Sequence, residues 1–183
     1  NLLRTQGQFA AAAALLEPAL ARAPQSPEML LTLGSVKRET GDNDGAAALY
    51  RAALDVRPSS APALSNLADL LTDDGAFDEA RTLYECAIKA ASGDPQARLN
   101  RAILHFLTGN LKEAWRDYGA RAEVPGKIPA SLQHFTPWTG GPLKKARLLV
   151  RAEQGVGDQL MFASVFAELV ARAQTEGGSV VIE

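Results

Sequence analysis

The residues best suited to chemistry sit in one run, Glu153-Gln154-Gly155-Val156-Gly157-Asp158. Three uses of that run compete. The first comes with a family resemblance that the same residues carry. As a dinucleotide turn, Gly155-X-Gly157 would approach a pyrophosphate, and Glu183 stands where an acid would meet a ribose. Against this second use, Leu160 replaces the third glycine, and Asp158 would set a negative charge against the phosphates. In the third use Asp158 caps the helix that follows, while Gly155 and Gly157 make the turn. His105 and His134 have no second ligand near them in the chain and read as core or surface histidines, so neither a metal nor a cofactor is expected. Cys86 is the one cysteine, which excludes an internal disulfide and a cysteine metal cluster; it reads as a small buried residue.

The elements that would position Asp158 are a strand, a turn, a helix and a second strand. Residues 146–152 read Ala-Arg-Leu-Leu-Val-Arg-Ala, an apolar run bounded by charge that suggests a buried parallel strand over 148–151. Leu160, Phe162, Ala163, Phe166, Leu169 and Val170 then mark the apolar face of a helix. Gly177-Gly178 stops it, and a second strand is expected over 180–182. The expected unit is the seed of an open parallel sheet, an incomplete Rossmann-like βαβ segment over 143–183.

Upstream the dominant signal is a 34-residue period. Gly7, Gly41, Gly75 and Gly109 repeat without insertion, followed in register by Ala12, Ala46, Ala80 and Ala114, and then by Leu16, Tyr50, Tyr84 and Tyr118. Each glycine ends a first helix in a left-handed cap, the alanines let two helices approach, and the aromatic column fills the space between repeats. Pro24 and Pro58 close second helices; Ser92-Gly93-Asp94-Pro95 does so in the third copy. Seven helices are expected in turn order, with the first copy adding a stub of its first helix.

These columns resemble the tetratricopeptide family, which implies a mainly α fold, a right-handed α-solenoid of helix–turn–helix repeats over 1–123 (a partial copy over 1–26, then 27–60, 61–94 and 95–123), with 124–142 a Pro/Gly-rich linker. The resemblance further implies a concave groove that binds another protein or peptide, lined by positions 2, 5, 9, 12 and 13 of each repeat. Here these are Glu28, Leu31, Ser35, Arg38 and Glu39, then Pro62, Ser65, Asp69, Thr72 and Asp73, then Gln96, Leu99, Ile103, Phe106 and Leu107. The surface runs from acidic to apolar; either another segment of the chain or a partner would cover its apolar end. Leu31 and Ser35 stand where a carboxylate-gripping clamp would place cations, so a chaperone-tail adaptor is not expected. Tyr50, Tyr84 and Tyr118 read as packing residues, and Trp115 as core.

Trp138-Thr-Gly-Gly and the run from Leu148 through Glu-Gln-Gly-X-Gly-Asp to Ala163 are similar to the start of a heptosyltransferase-like glycosyltransferase domain, which bacterial tetratricopeptide proteins often carry after their repeats. That resemblance implies Asp158 as base, with Gly155 and Gly157 shaping the turn near a sugar donor, in a transferase whose repeats present a protein acceptor. The present chain holds little of such a domain and is expected to be inactive.

The net charge of -2 gives no footing for nucleic acid, and no stretch approaches a membrane span. The lone thiol fits a reducing, cytoplasmic compartment. Asn1 to Leu3 reads as mid-helix, a start that is not a native one. The open edges of the two strands would be met by folding back on the repeats or by pairing with a second copy; pairing into a homodimer is favoured, because a helical surface offers no backbone hydrogen bonds.

Overall fold

The computed structural model describes residues 2–124, 134–136, 138–150 and 164–182. The chain divides into two compact units, Asn1–Pro129 and Ala130–Glu183. Asp158, Gly155, Gly157 and the start of the helix after them lie outside the described residues.

The first unit is helical. A stub, α1 (Leu2–Thr5), precedes α2 (Phe9–Arg22), α3 (Pro27–Glu39), α4 (Asn43–Val56), α5 (Ala61–Asp73), α6 (Phe77–Ala90), α7 (Pro95–Leu107) and α8 (Leu111–Tyr118), which tightens into a 3-10 turn over Gly119–Ala122. These are the expected seven helices and stub. Starts are set locally: Pro27 and Pro95 occupy first-turn positions, and Ser26, Asp42 and Asp94 accept hydrogen bonds from the N–H groups of Met29, Gly45 and Gln96. The inner helices α3, α5 and α7 end alike. At Gly75 φ is +78°, the N–H of Ala76 reaches Leu71 O at 2.8 Å, and the N–H of Gly75 reaches Thr72 O at 3.2 Å. This pair of hydrogen bonds satisfies two of the last carbonyls, and the chain turns into α6.

Each inner helix packs on the outer helix after it, and each outer helix on the next inner one. Ala46, Ala80 and Ala114 are completely buried, and the rings of Tyr50 and Tyr84 sit in the core with Leu67, Leu71 and Leu104. A second small-residue column, Gly34, Ala68 and Ala102, is also buried. At Gly34 a Cβ would stand 2.6 Å from the Tyr50 ring, so the ring itself requires the glycine.

Two expectations fail in this unit. Trp115 is 56% exposed instead of core, because the buried face of α8 is set by Ala114 and Asp117 and Trp115 lies off it. Cys86 is exposed instead of buried, because α6 turns Ala80, Tyr84 and Ala87 inward and Cys86 falls between those turns.

In the second unit β1 (Arg147–Val150) and β2 (Ser179–Ile182) pair in parallel, Arg147 opposite Ser179 and Val150 opposite Ile182, with α9 (Ser164–Thr175) between them in the chain. The pairing is that of a strand–helix–strand unit; two short strands do not by themselves specify a Rossmann-like sheet. The segment before β1 is tied to the end of α9. Arg172 lies 5.3 Å over the Trp138 ring and donates to Gly140 O at 2.9 Å, while the Glu176 carboxylate accepts from the N–H of Leu143. The end of the Pro/Gly-rich run therefore packs with the strand unit.

Candidate functional site

The groove is built from equivalent positions of successive inner helices. Ser35, Asp69 and Ile103 are one 34-residue column; Arg38, Thr72 and Phe106 are the next, followed by Glu39, Asp73 and Leu107. Because the columns stay in register, side chains from α3, α5 and α7 converge. Arg38, Asp69, Thr72, Asp73, Tyr84, Asn100 and Ile103 line a cavity of about 200 Å³. A neighbouring cavity of about 180 Å³ is lined by Arg4, Ser35, Arg38, Glu39, Tyr50 and Asn66.

Asp69 is the hub. Its Oδ2 accepts from Arg38 Nη1 at 3.1 Å, and its Oδ1 accepts from Tyr84 Oη at 2.5 Å and Asn100 Nδ2 at 2.9 Å. The three donors come from three helices of three repeats, so the carboxylate links the stack from below the groove floor. Arg38 also reaches Asp73 Oδ2 at 3.3 Å. Burial works against the charge of Arg38, but Asp69, by hydrogen bond and field, and then Asp73 outweigh it and raise its pKa. Tyr84 is pushed far above the ordinary phenol range by burial first and by the charge of Asp69 second. Tyr50, whose hydroxyl is 3.4 Å from Ser35 Oγ, is also raised, again chiefly by burial. The Asn66 side chain makes no hydrogen bond among the described residues, whereas that of Asn100, one repeat on, is held by Asp69 and by Gln96 Nε2 at 2.7 Å.

Of the side chains that the family resemblance places in the groove, Ser35, Arg38, Glu39, Asp69, Thr72, Asp73 and Ile103 line the two cavities. Leu31, Leu99 and Phe106 line neither. Leu31 packs half-buried against the core, and Leu99 is 9% exposed. Phe106 joins an edge-on aromatic cluster, 5.0 Å from the Trp115 ring and 5.9 Å from that of Tyr118. The polar ends of Tyr50 and Tyr84 line the cavities although their repeat position assigns them to packing, and the amides of Asn66 and Asn100 line them too. The signal for the tyrosines was present: each stands 15 residues after the groove position it bonds, Tyr50 after Ser35 and Tyr84 after Asp69.

Away from the cavities, Arg101 Nε donates to Asp117 Oδ2 at 2.6 Å, with Asp117 almost fully buried and His105 Nε2 3.9 Å from the same oxygen. His105 Nδ1 is buried without a partner. No group of three or more metal-ligating side chains occurs among the described residues, and no helix among them is long and apolar enough to cross a membrane.

The fold has solved counterparts. The crystal structure of MamA protein superposes with a TM-score of 0.59 at 21% identity, over 66% of this chain and 66% of that one. A tetratricopeptide repeat protein from Parabacteroides merdae superposes with a TM-score of 0.58 at 24% identity, over 69% of this chain and 50% of that one. At these identities the likeness concerns the fold. In sequence, Protein FlbA of Caulobacter vibrioides is 30% identical over 78 residues, which is 42% of this chain and only 13% of that protein's length. Residues 1–61, 31–95 and 66–129 each match the tetratricopeptide repeat family in overlapping windows that cover the whole helical unit, and the chain belongs to that family.

Proposed function

We propose that this chain is an interaction scaffold that binds another polypeptide in the groove of α3, α5 and α7. One observation carries the reading: groove positions of three successive repeats converge on an open cavity floored by a fixed hydrogen-bonded hub, so polar groups are held in place before any ligand arrives. Such preorganisation lowers the ordering cost of binding. A random-peptide display library panned on the chain tests it. Selected peptides should protect a cysteine at Thr72→Cys from alkylation and leave the native Cys86, which lines neither cavity, unprotected. Protection at Cys86 alone would place binding elsewhere.

A second reading makes the chain the front of a tetratricopeptide-linked glycosyltransferase, in which the repeats present a protein acceptor and Asp158 is the base. What supports it is the parallel pairing of β1 and β2 with α9 between them, the connectivity that the Glu-Gln-Gly-X-Gly-Asp resemblance implies. In this reading the present chain is inactive, and calorimetry with a nucleotide sugar should give no micromolar binding. A second copy is the partner we assign to the strand edges, since among the described residues β1 and β2 pair only with each other. Light scattering should then give twice the chain mass. A cytoplasmic setting completes the proposal; an exposed free thiol such as Cys86 persists where the surroundings are reducing.

A further inference from the structure

Resting on the groove reading, we propose that the ligand is a polypeptide segment carrying a lysine or arginine next to a bulky apolar side chain, the cation seated at the end of α5 and the apolar group on α7. The apolar half of this surface comes from the fourth repeat. Ile103 and Leu107 are one helical turn apart on α7, 51% and 60% exposed, with the Phe106 ring beside them. Trp115 of α8, itself exposed, meets the Phe106 ring edge-on and extends the patch. In the two preceding repeats the inner-helix columns of Ile103 and Leu107 are polar, Ser35 and Asp69 in one and Glu39 and Asp73 in the other, so this inner-helix patch is local to one end of the groove.

The polar half names the charge. α5 ends in Asp73, with Asp74 as its C-cap residue, and has no basic residue in its last turn, whereas α3, which ends in Glu39, carries Lys37 and Arg38 in its last turn. Two carboxylates at a helix C-terminus stand against the negative end of the helix dipole. Arg38 answers this in part, but its fork is already divided between Asp69 and Asp73. Asp73 uses one oxygen on Arg38; its other oxygen has no partner among the described residues, and neither does the Asp74 carboxylate. The cations of the groove are all engaged: Arg38 as described, and Arg4 at 4.0 Å from Glu39. Across the two cavities Arg4 and Arg38 face Glu39, Asp69 and Asp73, which is one negative charge in excess. A ligand cation relieves the excess; a ligand carboxylate adds to it.

Asp73 and Ile103 line the same cavity, so the two features of the ligand lie close together, on the order of one to three residues apart in an extended chain at about 3.3 Å per residue. An apolar patch and a helix end whose carboxylates Arg38 neutralises only in part, meeting at one cavity, thus specify a basic–apolar peptide.

The test is the sequence and the binding of peptides selected from the random library on the full chain. Selected peptides should share a lysine or arginine within three residues of leucine, isoleucine, phenylalanine or tryptophan. In fluorescence anisotropy a labelled selected peptide should lose at least tenfold in affinity on Asp73→Lys and on Ile103→Glu. Its lysine-to-glutamate version should bind Asp73→Lys better than it binds the unaltered protein, which also shows that the variant is folded. Added salt should weaken binding of the original peptide. Selected peptides that are acidic or uncharged, or that bind Asp73→Lys unchanged, would overturn this inference and leave the groove reading standing. A library that yields no binder would overturn both.

Discussion

Tyr84 donates to Asp69 across fifteen residues at 2.5 Å, while Tyr50, one repeat earlier, makes the same reach to Ser35 at 3.4 Å. One repeat frame thus builds a charge-assisted bond in one copy and a weak neutral one in the other. Tyr84→Phe should cost about 1–2 kcal/mol, and Tyr50→Phe no more than about 0.5 kcal/mol, since a hydrogen bond to a charged partner is worth more than one at the distance limit. Urea denaturation of both variants checks the order; equal losses would mean that Asp69 is not the anchor of the stack. The two raised phenols also predict an alkaline limit. The folded state keeps protons that the unfolded chain releases, so stability is full below about pH 10, the unfolded value, and falls as pH rises above it.

The left-handed caps make the second prediction. At Gly75 a Cβ would meet nothing within 4 Å, so any cost of a side chain there is torsional. Gly75→Ala should destabilise by about 1–2 kcal/mol, and Gly75→Asn by less, because asparagine enters the left-handed region more readily. If Ala and Asn cost the same, the cap conformation is not what the glycine supplies.

The period makes most of this unit legible in the sequence, because a 34-residue register aligns caps, small residues and groove positions at once. What it did not convey was which helix face a single large or reactive residue takes. Trp115 and Cys86 were assigned by residue type, and both lie beside, not on, the face that their own alanines define. The hub escaped for a related reason: a tyrosine that packs by its ring and bonds by its hydroxyl belongs to two columns, and the first one masks the second. In the strand unit an apolar run bounded by charge, and the stop at Gly177-Gly178, located both strands to within a residue. Asp158 was singled out on motif alone and lies outside the described residues.

The buried pair Arg101–Asp117 gives a third prediction. Leu49 and Leu83 occupy the two equivalent positions before Asp117, so the fourth repeat replaces an apolar contact with an ion pair. Asp117→Ala strands a largely buried guanidinium and should cost about 3–5 kcal/mol. The double variant Arg101→Met with Asp117→Leu should recover most of that loss, because apolar packing replaces both charges. A double variant no more stable than the single one would show that the pair is needed for more than its own neutralisation.

The last prediction concerns His105, which sits in α7 with Nδ1 buried and unpartnered and Nε2 3.9 Å from Asp117. Burial lowers its pKa; Asp117 and Glu113 pull the other way, and Arg101 and Arg81 add to the lowering. The sign follows from linkage. The unfolded chain takes up the histidine proton near pH 6.5, while the folded state resists it to lower pH. The stability contributed is therefore complete above about pH 6.5 and is lost as pH falls through the folded value. His105→Leu keeps a side chain of similar size and removes the titration. Between pH 7.5 and 5.5 the urea midpoint of the unaltered protein should fall more than that of the variant. Parallel declines would show that His105 accepts its proton in place, with Asp117 outweighing the cost of burial.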